Sequence, residues 1–263
     1  ILANRIVWSL VFTTALLLAL RRSSDVGKVL RDWKKMRFML PAALTITINW
    51  GLYIWSVNAG HLLDASLGYY LNPLIAFAFG MLLFHEKCGA LEWVALGLAV
   101  VGVLISTIAY GAFPWIAVGL ATSFAVYGML KKYAGVSGIT SIAVETVLIA
   151  PFAIAFLIFS PLNAAVVSAL TLKTGILLVL TGVVTATPMI LFTRGVNSLP
   201  LTTVGFLQYI SPTLQLLIGT LFFHEALTNE RIVALVFFGV ALVLYSIGMA
   251  RRAKEPIASA AGE

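Results

Sequence analysis

Long apolar stretches alternate with short polar breaks along the whole of this chain. Runs of apolar residues occupy positions 2–20, 38–57, 62–84, 91–109, 113–130, 142–159, 174–196, 201–223 and 232–250. About twenty residues at a helical rise of about 1.5 Å each cross the hydrocarbon core of a bilayer, so each run predicts a membrane-spanning helix. The first run, with Arg5 near its start, has the outline of a secretory leader. No small-residue cleavage site stands near Arg21 and Arg22, and eight more runs follow, so it is read as a membrane helix as well.

The runs are related to one another. ASLGYYLNPLIAFAFGMLLFHE at 65–86 lies over VGFLQYISPTLQLLIGTLFFHE at 204–225 without a gap, at a constant offset of 139, with 7 of the 22 positions identical. That offset pairs Asn58 with Asn197, Tyr70 with Tyr209, Pro73 with Pro212, Gly80 with Gly219 and His85-Glu86 with His224-Glu225. Offsets of 139 or 140 carry each early run onto a later one, except that 113–130 would need a partner before residue 1. The sequence also opens on Ile1 rather than Met. The expectation is a ten-helix parent, of which nine helices are recorded here and the first, similar to Trp115–Leu130, is missing. The repeats are then 1–110 and 111–252, followed by an Ala-, Ser- and Gly-rich tail, 253–263, expected to be disordered.

Composition agrees with a lipid environment. The chain is 61% hydrophobic and 10% charged, and its 27 charged side chains among 263 residues are too few to cover a soluble surface. The net charge of +7 would suit nucleic acid, but the basic residues stand in short groups between the runs and form no basic-aromatic patch. They read as topology signals. With simple alternation, Arg21, Arg22, Lys28, Arg31, Lys34, Lys35, Arg37, Lys87, Lys131, Lys132, Arg194, Arg251, Arg252 and Lys254 share one side, while Lys173 and Arg231 share the other. Lys and Arg are retained on the cytoplasmic side, so both termini of the parent are placed there. Five helices per repeat is an odd number, so the two halves insert in opposite senses. The predicted fold is an all-α integral membrane protein built as an inverted repeat of two five-helix units. Such halves can exchange conformations and expose a central site to each side in turn, which points to transport.

Polar groups inside a membrane are costly unless paired or facing water, which makes them candidates for a substrate path. Arg5 and Glu145 are related by an offset of 140, one in each half. The functional interpretation makes Arg5 a counter-charge for an anion and Glu145 a cation-binding or protonatable site; the plainer one has both side chains snorkelling at helix ends. Asn49, Trp50 and Tyr53 share a helix face through three- and four-residue spacings, either lining a cavity or packing. Within the repeated motif, Pro73 and Pro212 each remove a backbone hydrogen bond and are expected to kink their helices. Tyr70 and Asn72, and Gln208, Tyr209 and Ser211, bring hydrogen-bonding groups to those kinks, for a substrate or for helix packing.

Other chemistry is poorly supplied. Neither His-Glu pair is followed by a histidine four residues on, so no zincin helix is present, and helix capping or gating is the expected role. His61 and Asp64 have nothing nearby to complete a catalytic set, and no phosphate-binding glycine loop offers ATP-driven transport. Cys88, the single cysteine, permits no internal disulfide and is expected to be inert. No catalytic residue, metal or cofactor is predicted.

The strings ILANRIVWS at 1–9, NWGLYIWSVN at 49–58, ASLGYYLNPL at 65–74, Glu145-Thr146 and GFLQYISPTL at 205–214 resemble the RarD group of EamA-domain transporters, in the drug/metabolite transporter superfamily. The resemblance covers nearly the whole chain. It implies ten helices in two inverted halves, a bacterial inner-membrane location and a small-molecule permease, with a link to chloramphenicol sensitivity in the family name and export suggested by the superfamily. The expected function is therefore a multi-pass secondary transporter moving a small metabolite or drug by alternating access. Its expected partners are that solute and the lipid bilayer, with proton coupling through Glu145 left open and no nucleic acid. An integral-membrane enzyme would need a clustered acid, base or metal set, and a non-transporting receptor would bind a solute without flux. Both stand as alternatives.

Overall fold

A computed structural model describes residues 2–160, 171–214 and 229–260, and every regular element in them is a helix. In chain order these are α1 (Leu2–Ala19), α2 (Ser24–Arg31), α3 (Trp33–Asn58), α4 (Leu62–Phe84), α5 (Ala90–Tyr110), α6 (Trp115–Ala134) and α7 (Gly138–Phe159). They are followed by α8 (Leu172–Ser198), α9 (Leu201–Leu207) and α10 (Asn229–Ala260). The chain is an all-helical membrane protein. Seven of the described helices are long and apolar enough to cross a bilayer, one each in α1, α3, α4, α5, α7, α8 and α10. Two of the nine expected spans need comment. α6 has the length but ends on Lys131 and Lys132, which lowers its hydropathy. The run at 201–223 is described only as far as residue 214, so Gly219, His224 and Glu225 lie outside the described residues.

Helix ends follow local chemistry. α5 ends at Gly111 and α6 is followed by Gly135, with φ of 79° and 57°, a left-handed backbone that glycine adopts without a Cβ penalty. α4 ends at His85 in the same conformation, φ 50°, and the backbone N–H of Glu86 returns to the Gly80 carbonyl. α4 runs unbroken through Pro73. In the second copy the helix stops after Leu207, and the N–H groups of Gln208 and Tyr209 bond three residues back, to Gly205 and Phe206. Pro212 has no N–H to offer the Gln208 carbonyl, and Ser211 N–H takes that acceptor instead, at 3.1 Å.

The helices fall into two compact units, and neither is one sequence repeat. One unit comprises Ile1–Ile54 and Val126–Leu199; the other comprises Trp55–Ala125 and Pro200–Glu263. In the first, α1 packs on α7 and α8, and α2 rests on α7. In the second, α5 packs on α10 and α4 on α9. An offset of 140 carries α1 onto α7, and 139 carries α3 onto α8 and α5 onto α10. Each unit is thus assembled from equivalent helices of both copies, an inverted repeat interwoven rather than laid end to end.

Close contact in each unit depends on small residues. Ser9 of α1 donates to the Gly182 carbonyl of α8 at 3.3 Å, and any Cβ on Gly182 would collide with the backbone of Trp8. In the second unit, Phe77, Phe206, Tyr209, Phe238 and Tyr245 form an aromatic core; Phe206 stacks on Tyr245 at 4.0 Å and Tyr209 on Phe238 at 4.9 Å.

Candidate functional site

In the first unit, α1, α3, α7 and α8 line a small cavity, about large enough for one water molecule. Its walls are Ile6, Ser9, Ala43, Ile46, Thr47, Trp50, Ile142, Glu145, Thr146, Ile149, Thr185, Ala186 and Met189. Ten of these thirteen residues are repeat equivalents of one another: Ile6 with Thr146 and Ser9 with Ile149 at offset 140, and Ile46 with Thr185, Thr47 with Ala186 and Trp50 with Met189 at offset 139. Residues related by a two-fold can surround one space only if that space lies on the axis. The cavity is therefore centred on the pseudo-two-fold of its unit.

Ionisable groups border this cavity from two sides. Arg5 of α1 donates from Nε to Thr185 Oγ1 at 3.0 Å, and its guanidinium lies 5.3 Å from the centre of the Trp50 ring. Its repeat equivalent, Glu145 of α7, is a wall residue 5% exposed. Glu145 is not alone. One carboxylate oxygen forms an ion pair with Lys131 Nζ, and the other accepts from Tyr127 Oη at 3.0 Å. Lys131 also donates to Ser141, and its ammonium sits 5.2 Å from the Tyr127 ring centre. Tyr127 in turn stacks on Phe192 at 5.9 Å.

The α6–α7 hairpin builds this network. α6 ends at Ala134 and α7 starts at Gly138, so antiparallel neighbours have numbers summing to about 272. Lys131 then meets Ser141, and Tyr127 meets Glu145, as observed. Asn197 Nδ2 holds the turn by donating to the Val136 carbonyl at 2.7 Å. Lys131, which the sequence groups with the loop cations, is 1% exposed. The i, i+4 spacing of Tyr127 and Lys131, read with the short hairpin, is the signal that would have found it.

Hydroxyl orientation gives the wall a bias. Ser9 donates to Gly182, Thr47 to Ala43 at 2.7 Å and Thr146 to Ile142 at 2.9 Å, all backbone carbonyls. Their hydrogens are committed, whereas Thr185, which accepts from Arg5, keeps its own hydrogen to donate. The wall therefore presents mainly acceptors.

The sequence candidates divide between the two units. Trp50 and Glu145 are wall residues of the cavity; Arg5 touches the wall residues Thr185 and Trp50 without being one, and Asn49, buried, and Tyr53, half-buried, are not wall residues either. In the second unit Asn72 Nδ2 donates to Gln208 Oε1, and Tyr209 Oη donates to the Tyr70 carbonyl at 3.2 Å. Tyr70 and Tyr209 are repeat equivalents, so this bond lies on the pseudo-two-fold of that unit. Asn72 Oδ1 is buried with no hydrogen-bond partner among the described residues. Ser211 is bonded through its backbone to Gln208. Glu86 has a capping position: its two carboxylate oxygens accept from the N–H groups of Leu201 and Thr202, at 2.6 and 2.9 Å, at the start of α9. Among the described residues no group of three His, Cys, Asp or Glu side chains could hold a metal.

The EamA-like transporter family matches residues 2–108 and 114–247 of this sequence. The chain belongs to that family. Protein RarD of Streptomyces exfoliatus is 40% identical over 99% of this chain and 84% of its own length. An uncharacterized transporter of Bacillus subtilis, YojE, is 41% identical over 95% of this chain and 85% of its own. A crystal structure of a protein only 16% identical superposes with a TM-score of 0.69, over 94% of this chain and 88% of the other, and supports the fold alone.

Proposed function

We propose that this protein is a secondary transporter of the bacterial inner membrane that moves a small metabolite or drug by alternating access. In this reading the cavity among α1, α3, α7 and α8 is its solute site. The carrying observation is that five pairs of repeat equivalents wall that cavity. Two similar halves of opposite orientation supply two states from one fold, and a site on their axis is lined by the same residues in both. Trp50, Ile46 and Met189 give a solute an apolar bed. The acceptor-rich remainder favours a solute with hydrogen-bond donors. Arg5 and Glu145 provide opposite charges at equivalent positions, and Glu145 is the group through which protons would couple. Asn49 and Tyr53 stay proposed solute contacts of the first unit, and, taken separately, Tyr70, Asn72, Gln208, Tyr209 and Ser211 stay proposed solute contacts of the second, with Pro73 and Pro212 as proposed bending points. The repeats are assigned to 1–110 and 111–252, with cytoplasmic termini and export as the direction.

Solute counterflow in proteoliposomes tests this reading, using chloramphenicol and a panel of amino acids as probes. The expected result is exchange of at least one solute, reduced in Trp50→Ala. Binding without exchange would replace the carrier by a receptor.

A further inference from the structure

Lys131 and Glu145 form a buried ion pair at the edge of the cavity, and the two partners are unequal. Glu145 is a wall residue; Lys131 is not, and it approaches the carboxylate from α6, behind the wall. We propose that Lys131 is a tethered counter-cation that competes with a proton for Glu145, which makes Glu145 a proton-binding site reached through the cavity. This rests on the cavity assigned above as the solute site. Because Glu145 lines the cavity and Lys131 does not, the carboxylate is the partner a small species in the cavity can reach. A displaceable pair needs a path for the incoming proton and a resting place for the released ammonium. The cavity is that path. Ser141 Oγ and the Tyr127 ring, both already touching Lys131, are that resting place.

The proton moves from water to a Glu145 carboxylate oxygen, and the ion pair opens with no other bond made or broken. The groups facing Glu145 are few. α6 supplies Lys131 and Tyr127, and α7 supplies Ser141 and Thr146. Arg5 of α1 is held on Thr185 of α8, and Arg194 of α8 lies beside Gly138, two turns from Glu145. α3 contributes Trp50 and Thr47 to the wall and no charge. Asp25 and Lys28 of α2, which rests on α7, are paired with each other in solvent.

The test is site-resolved modification by dicyclohexylcarbodiimide, which reacts with protonated carboxyl groups in apolar surroundings, read by peptide mass spectrometry on the intact, reconstituted protein. Glu145 labelling is expected to rise as pH is lowered from about 8 to about 5, by at most about tenfold per unit, the limit for uptake of a single proton. Lys131→Met raises labelling at neutral pH, because nothing then competes with the proton. Lys131→Arg, which keeps the cation, lowers it. Glu145 unlabelled across this range in folded wild type, or labelling indifferent to Lys131→Arg, overturns the proposal. Labelling that follows the prediction in a protein without solute counterflow would sink the transporter reading and leave the proton site standing.

Discussion

Removing Lys131 tests how the first unit is held together. Lys131 and Glu145 are 1% and 5% exposed, and their ion pair closes the α6–α7 hairpin. Deleting one member of a buried pair strands the other charge, at a cost of about 3–5 kcal/mol. Lys131→Met keeps the length of the stem and removes only the charge, so cavity formation contributes little. Glu145→Gln keeps an acceptor for Tyr127 and leaves the ammonium on Ser141 and the Tyr127 ring, so it should cost less than Lys131→Met. If the two losses were independent, the double variant would lose the sum of both. The pair predicts otherwise. With both charges gone, neutral groups of similar volume remain, and the double variant should lie within about 2 kcal/mol of wild type. The assay is reversible unfolding in mixed micelles by a denaturing detergent, run as a double-mutant cycle. A double variant as unstable as the sum of its parents would refute the reasoning, because the two residues would then act separately.

Three further outcomes follow from other contacts. Gly182→Ala drives a Cβ into the Trp8 backbone and should cost about 1–3 kcal/mol by separating α1 from α8, seen as a lower unfolding midpoint; no change would mean the helices are not in that contact. Glu86→Ala strands the N–H groups of Leu201 and Thr202 and should cost about 2–4 kcal/mol, while Glu86→Gln, which keeps one acceptor, should cost less. Burial, and next the Glu92 carboxylate, push the Cys88 thiol above its ordinary value, so less thiolate is present at neutral pH. Maleimide labelling of Cys88 should therefore be slower than that of a free thiol and accelerate as pH is raised; equal rates at pH 7 would contradict that environment.

Much of this architecture is legible in the sequence for a physical reason: bilayer thickness fixes helix length, and a repeat without gaps fixes equivalence. The offset of 140 that matches Arg5 with Glu145 also finds two of the five equivalent pairs in the cavity wall, and the offset of 139 finds the other three. Lys131 escaped because a lysine at the end of an apolar run is normally a topology signal. Only the short turn between Ala134 and Gly138 shows that it faces Ser141 and Glu145. The interweaving of repeats escaped for a different reason. Which helices pack together depends on close approaches such as Ser9 with Gly182, and hydropathy does not encode them. The two proline positions also diverge. Pro73 is carried within an unbroken α4, whereas the break before Pro212 falls at Gln208 and Tyr209.

The most direct test of the central claim uses the repeat equivalence of Thr47 and Ala186. Each is changed to cysteine in turn, in a Cys88→Ser background, and exposed to a membrane-impermeant thiol reagent from either side of sealed, oriented vesicles. An alternating-access cavity on the pseudo-two-fold predicts that both positions react from both sides. Reaction of both positions from one side only, or of neither, would contradict it.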